Sequence, residues 1–398
     1  MEHVYRDIDF LVGNMDVLSN MEKTRALPMF SEDVVSFLGR LSEVLLRDPQ
    51  AKAYGDIVAF AFWLRKASIK KEAAKYGASG RRIGWGMAFH IAPSNIPVQF
   101  AVSLVYALTA GNASAIRVSD KQFEQVDLLC ETINMLLQEE FQKLHPYICI
   151  VRYAHDNAAT RVLSSLCDLR MIWGGDRTIG DIRSNPTQSR CIELGFADRY
   201  SIAVIDADAY LQMDSKIIAR DFYLDTYYSD QNACSSTRLV LWTGNRIDEA
   251  KKVFWARLQE KVDQEYPLGD IIGSEKLLRT AVLAASYPGI KEIRHNNALV
   301  RVELPELFED VMNDKGNCGY FLEYNLGSLD ELARVLTKPC QTVTYLGEHL
   351  YSEIKDIIVG QGLKGGDRIV PMGHSLDLSF IWDGYDMPLT LSRKISHQ

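Results

Sequence analysis

The sequence predicts an α/β protein, with a doubly wound parallel sheet in its first part and a second α/β domain after it. Three observations predict this. From Gly84 onward, short apolar runs of strand length alternate with longer amphipathic stretches, the rhythm of βαβ units. The 398 residues suffice for two cores. At 47% apolar and 24% charged residues, the composition is that of an ordinary globular protein.

In chain order, residues 31–75 read as helices that pack on a core. Ser31-Glu32-Asp33 supplies a helix start, and Val34, Val35, Phe37, Leu38, Leu41 and Leu45 fall at helical spacing. A second apolar stretch, Ile57 to Leu64, ends at Arg65-Lys66. Met87–Ile91 reads as a strand, followed by a Pro/Asn loop and a helix over 97–110. Ser114–Val118 is the next strand, with a helix over 121–141 capped by Ser119 or Asp120. Strands at Ile148–Val151, Leu169–Trp173 and Ser201–Ile205 follow, and Gly174-Gly175 turns the second of these into a helix. A helix near 214–230 leads to Asp230-Gln231-Asn232-Ala233-Cys234, then a strand at Arg238–Trp242 and a helix over 246–265. This divides the chain into residues 1–206, N-terminal helices and a dinucleotide-binding domain; 207–372, a domain carrying the nucleophile; and 373–398, a tail that returns to the first domain or to an interface.

Charge narrows the function classes. With 44 basic and 52 acidic side chains the net charge is −8, which argues against a nucleic-acid binder. Residues 1–9 hold no cationic segment followed by an apolar run, so no secretory signal is read there. The uncharged run from His90 to Ile116 contains Pro93, Asn95, Pro97 and Asn112. It reads as a buried strand, loop and helix rather than a membrane span. The seven cysteines show no C-x-x-C spacing, which argues against a disulfide framework or a zinc site and for a reducing cytoplasm. Most of them are expected to be small buried hydrophobes. Histidines 90, 155, 295, 349 and 374 show no ligand spacing and read as structural.

Five places could carry chemistry. Cys234 differs from the other cysteines in its polar neighbourhood of Ser, Asp, Gln and Asn, a poor place for an inert thiol and a suitable one for a stabilised thiolate. Asn95, held between Pro93 and Pro97, is either a rigid oxyanion donor or a turn-forming Asn. Arg117 ends a strand where the ligand crevice of an open sheet lies, or is an ordinary surface cation. Gly174-Gly175-Asp176 opens a helix after a strand, a place for a pyrophosphate, although no G-x-G-x-x-G occurs. Glu193 is a general base or a polar residue beside a strand.

Taken in order, these segments resemble the aldehyde dehydrogenase superfamily over residues 80–350. Pro93-Ser94-Asn95-Ile96-Pro97 resembles its Pro-Trp-Asn-Phe-Pro loop, Arg117-Val118-Ser119-Asp120 its Lys-Pro-Ser-Glu, and Glu193-Leu194-Gly195 its Glu-Leu-Gly-Gly. The whole chain is similar to the LuxC-type acyl-CoA reductase family through Phe62–Ala67, Trp173–Asp176, Asp230–Ser236 and Trp382–Asp386. The resemblance implies an acyl-Cys234 intermediate, Asn95 as oxyanion donor, and reduction by NADPH to a fatty aldehyde. It also implies cofactor contacts from Pro93, Ser94, Arg117, Ser119, Gly174, Gly175 and Arg177. Glu193 ranks as a proton donor, an acyl-CoA or acyl-protein as substrate, an acyl-protein synthetase as partner, and a homo-oligomer as the assembly. Two departures stand out. Asp176 replaces a serine in the glycine turn, and the Glu-x-Phe-Gly-Pro that contacts the nicotinamide ribose is not recognisable around Asn317-Cys318-Gly319. Arg117 in place of lysine mildly favours NADP, because a guanidinium can clamp a 2′-phosphate with two donors. The alternatives are an oxidative NAD(P)-dependent aldehyde dehydrogenase and a cofactor-free acyl-carrying component of a complex.

Overall fold

The structure, a computed structural model, describes residues 8–77, 82–154, 158–267, 269–308 and 310–395. The sequence reading of residues 1–7 and of His155 falls outside them. The chain forms two units. The first comprises residues 1–197 and 378–398, the second 198–377.

In the first unit, helix α1 (Glu32–Arg47) buries Val34, Phe37, Leu38, Leu41 and Leu45 along one stripe. Each such side chain contributes roughly 1.5–3 kcal/mol by leaving water. Ser31 sits at its N-cap position but makes no capping bond. Helices α2 (Gly55–Trp63) and α3 (Lys66–Ala74) pack beside it. The sheet has strands β1 (Asp9–Val12), β2 (Met87–Ile91), β3 (Ala113–Val118), β4 (Ile148–Arg152), β5 (Leu169–Trp173) and β6 (Ile192–Phe196), in spatial order β1-β4-β3-β2-β5-β6. All pairs are parallel except β1 with β4. The chain builds outward from β2 through β3 and β4, then returns to lay β5 on the other side of β2. Around β2 lies the switch point at which ligands of open α/β sheets bind. The run from His90 to Ile116 is β2, a loop, the fully buried helix α4 (Gln99–Thr109) and β3. Among the described residues no helix is long and apolar enough to cross a membrane.

The tail 378–398 belongs to this first unit. Phe380 lies 4.9 Å from Trp63, centroid to centroid, and Trp382 is 6.5 Å from Trp173. Three of the four segments behind the family resemblance thus pack on one hydrophobic core, through Trp63, Trp173 and Trp382.

The second unit has strands β7 (Tyr200–Asp206), β8 (Thr237–Thr243), β9 (Lys291–Arg294), β10 (Val300–Glu303), β11 (Tyr320–Asn325), β12 (Cys340–Leu346) and β13 (Arg368–Pro371), in the order β9-β10-β11-β8-β7-β12-β13. Only β9 with β10 is antiparallel. β7, read from the sequence as the last strand of the first domain, pairs with β8 and β12 in this sheet. A run of βαβ texture does not reveal which sheet its final strand joins. Glu323, fully buried on β11, accepts hydrogen bonds from the indole N–H groups of Trp242 (3.2 Å) and Trp255 (3.0 Å) and from Arg301 (2.7 Å). Buried charge is tolerated here because both carboxylate oxygens are hydrogen-bonded and the Arg301 and Lys251 cations lie against them.

Candidate active site

Cys234 lies in the second unit, in the turn before β8, at the N-terminal edge of a parallel sheet. The helix leading to it, α5 (Ser215–Thr226), ends earlier than the sequence suggests. A 3₁₀ turn at Tyr227–Ser229 follows, then two non-glycine residues in the left-handed region, Asp230 (φ 52°) and Gln231 (φ 55°). Each such conformation costs on the order of 1–2 kcal/mol, which the surroundings must offset.

Gln231 supplies much of that offset. Its amide is fully buried and uses its full set of bonds. Nε2 donates to the carbonyls of Thr237 (2.9 Å) and Tyr320 (3.3 Å), and Oε1 accepts from the N–H groups of Gly319 (2.7 Å) and Tyr320 (3.1 Å). The facing loop is left-handed as well, at Cys318 (φ 55°) and Gly319 (φ 86°). A Cβ on Gly319 would stand 2.0 Å from the Ala298 carbonyl, so only glycine fits there. The Cys318 N–H donates to the Asp230 carbonyl (3.0 Å), and the Asn317 amide to Asn232 (3.3 Å), which interlocks the loops.

Three further side chains hold this loop. Buried Arg238, at the start of β8, donates to the carbonyls of Gln231 and Gly316. Burial pushes the Arg238 pKa down to about 10, and the foremost charge opposing that is Cys234. The Ser201 hydroxyl donates to the Cys234 carbonyl at 2.7 Å and accepts the Thr342 N–H at 3.0 Å. Lys276 donates to the carbonyls of Asn297 (2.7 Å) and Cys318, and burial lowers its pKa to about 8. The Cys234 side chain itself is half-buried. Gln231 stands inside a segment that the sequence singled out, but its role shows only in its bonds. Arg238, Ser201 and Lys276 carried no signal of function.

The remaining candidates lie in the first unit. Pro93, Ser94 and Asn95 form the loop after β2. Ser94 and Asn95 are exposed, and the Asn95 amide makes no hydrogen bond among the described residues. Arg117, near the end of β3, is 8% exposed, not a surface cation. One Nη donates to the Tyr153 carbonyl at 3.1 Å, and the guanidinium lies 5.7 Å from that ring. A two-donor clamp on a phosphate therefore has to share this side chain with Tyr153. Ser119 accepts from the Lys121 N–H at 3.2 Å in a turn, and the helix it was read to cap begins only at Glu124. Pro93, Ile96, Phe100, Val118, Ser119 and Lys121 line a slot at this edge.

Gly174-Gly175 follows β5, and helix α6 (Asp176–Arg183) begins with Gly175 at its N-cap and no side-chain cap. A Cβ on Gly174 would meet Thr178 at 3.1 Å, whereas one on Gly175 would meet nothing within 4 Å. Asp176 and Arg177 are both exposed in the first turn. Below the turn, the Trp173 indole donates to Ser103 (3.0 Å), whose hydroxyl meets the Nδ1 of His90 at 2.7 Å.

Glu193, on β6, departs from its expected role. Its carboxylate takes hydrogen bonds from Arg170 (Nε, 2.7 Å) and Arg183 (Nε, 2.6 Å). Burial favours the protonated form, but the bonds from Arg183 and Arg170 outweigh it and hold the pKa below the usual carboxylate range. A carboxylate so held has no proton to give near neutral pH. It fastens β6 to the helix after the glycine turn.

The chain is similar to solved structures of the methylmalonate-semialdehyde dehydrogenase of Oceanimonas doudoroffii (TM-score 0.67, 11% identity, covering 95% of this chain and 88% of that one). It is similar also to aldehyde dehydrogenase 21 of Physcomitrella patens (TM-score 0.66, 12% identity, 95% and 88%). At these identities the likeness shows the fold, which is that of the aldehyde dehydrogenases. A long-chain acyl-protein thioester reductase of Vibrio harveyi is 23% identical over 297 residues, 72% of this chain and 58% of the relative. A second such reductase, from Photobacterium leiognathi, is 24% identical over 182 residues, 45% of this chain and 36% of the relative. The chain thus spans less than two thirds of the length of these curated relatives. The profile described as acyl-CoA reductase (LuxC) matches residues 15–269, well over half of the chain. This chain belongs to the LuxC acyl-CoA reductase family.

Proposed function

We propose that the chain is an acyl thioester reductase in which Cys234 takes an acyl group from acyl-CoA or an acyl-protein and releases it as a fatty aldehyde, with NADPH as reductant. The observation that carries this reading is the nucleophile loop. Two consecutive left-handed residues, a fully bonded Gln231 and the Arg238 and Ser201 anchors fix the backbone around one half-buried thiol. Strain over-determined in this way is characteristic of catalytic turns.

The Cys234 thiolate attacks the acyl carbonyl, and the thiol of the donor departs. The family resemblance gives Asn95 the role of oxyanion donor, and one such donor is worth about 3–4 kcal/mol in comparable sites. The reduced nicotinamide, when bound, supplies the hydride that the acyl-enzyme needs. Collapse of the resulting hemithioacetal regenerates Cys234. The residues at the edge of the first sheet fit a dinucleotide. The slot is apolar with Ser119 and Lys121 on it, Gly175 leaves the start of α6 open, and Arg177 brings a cation to the turn that Asp176 makes acidic.

The test is NADPH oxidation measured against acyl-CoA esters of increasing chain length. The expected result is turnover with long-chain esters, lost in Cys234→Ala and reduced by about two orders of magnitude in Asn95→Ala. Turnover of free aldehyde with NAD(P)⁺ and none with acyl-CoA would identify an oxidative enzyme instead.

A further inference from the structure

Two thiols of the first unit touch, away from the residues assigned above. The Sγ atoms of Cys167 and Cys191 lie 3.8 Å apart. Cys167 is fully buried at the C-cap of the helix Ala159–Leu166, and Cys191 is half-exposed just before β6. The backbone fixes them as neighbours. The Ile192 N–H donates to the Asp168 carbonyl at 3.0 Å, the first rung between these segments, and the side-chain Nε2 of Gln188 adds a bond to the Leu166 carbonyl at 2.8 Å. The register pairs Leu169 with Ile192, so Cys191 stands one residue out of step with Cys167. Strands about 4.8 Å apart with a rise of about 3.3 Å per residue put such a diagonal pair at roughly 6 Å between Cα atoms, inside the range of disulfides. The contact with Cys167 holds the Cys191 thiol below its ordinary range, and Arg170 adds to this, while burial, Glu193 and Asp168 oppose it.

We propose that Cys167 and Cys191 are a dithiol modification site that closes to an intramolecular disulfide when the protein meets a hydroperoxide. The Cys191 thiolate attacks the terminal peroxide oxygen and the O–O bond breaks, so that Cys191 becomes a sulfenic acid and the departing alkoxide (or hydroxide) takes a proton from solvent and leaves as an alcohol (or water). The Cys167 sulfur then displaces hydroxide from it, and with the thiol proton this leaves as water. Two thiols are oxidised and one hydroperoxide is reduced. The closed loop encloses β5, the Gly174-Gly175 turn and α6, so the staple spans the whole glycine turn. Cys130, Cys149 and Cys340 are buried, and burial raises the pKa of each, so they do not compete.

The experiment treats the full chain, carrying Cys234→Ser to remove the other half-exposed thiol, with hydrogen peroxide and maps the digest by mass spectrometry. The expected product is a Cys167–Cys191 linked peptide, reversed by dithiothreitol and lost completely in Cys167→Ser and in Cys191→Ser. In Cys167→Ser the Cys191 sulfenic acid should persist and be trapped by dimedone. Irreversible oxidation of Cys191 with no linked peptide would overturn the proposal. So would both thiols staying reduced at doses that oxidise Cys234 in the parent chain.

Discussion

The nucleophile loop and the glycine turn are built in opposite ways. Around Cys234 every neighbour is committed. Gln231 makes four hydrogen bonds, Arg238 holds two carbonyls, and Gly319 admits no side chain. At Gly174-Gly175 little is committed. Gly175 has open space, α6 has no side-chain cap, and Asp176 and Arg177 face outward. The covalent step needs one atom placed to within a fraction of an ångström, whereas a phosphate at a helix start is held by several backbone donors and tolerates variation. On the proposed function, that difference accounts for a Cys234 segment that matches the pattern of the family it resembles and a glycine turn that departs from it at Asp176.

The comparison breaks first at Gln231. Gln231→Ala leaves the Gly319 and Tyr320 N–H groups without their acceptor and frees two left-handed residues, so Cys234 should be acylated about 100-fold more slowly. Stopped-flow acylation of the variant checks this, and a rate within a few-fold of the parent would show that the loop does not position the thiol.

The second effect belongs to the first unit. His90 is fully buried, and burial depresses its pKa to about 3. The unfolded chain binds the proton near pH 6.5 and the folded one does not. The stability that a neutral His90 confers is therefore present above about 6.5 and lost as pH falls towards 3. Protection factors of the β2 and β5 amides, with the intrinsic pH dependence of exchange divided out, should fall as the pH is lowered across that window, and a His90→Gln variant should show a flatter profile.

The smallest effect is expected at the glycine turn itself. Asp176→Ser removes an anion from a helix start where a phosphate is to bind, a change of about 0.3–1 kcal/mol. Calorimetry should find NADPH bound up to about five-fold more tightly, and weaker binding would mean that Asp176 faces no phosphate.

Legibility in the sequence followed the same division. Met87–Ile91 and Leu169–Trp173 were readable to the residue, because a buried parallel strand is a continuous apolar run between polar turns. The long helices drifted by two or three residues at their ends, as with Glu124–Glu139, where the capping residue looked for was turning elsewhere. The membership of Tyr200–Asp206 in the second sheet was not readable, because pairing is a long-range fact. Cys234 stood out by its polar neighbours. The groups that hold it come from positions as distant as Ser201 and Gly316, which no local spacing connects. Glu193 misled because a carboxylate inside a familiar motif looks catalytic until its two arginines are seen.

The central claim is that Cys234 carries the acyl group. The most direct measurement supplies labelled long-chain acyl-CoA without any nucleotide and locates the label by mass spectrometry of the digest. One acyl group is expected on the peptide containing Cys234, absent in Cys234→Ala and discharged when NADPH is added. An unlabelled protein, or labelling that persists unchanged in Cys234→Ala, would contradict it.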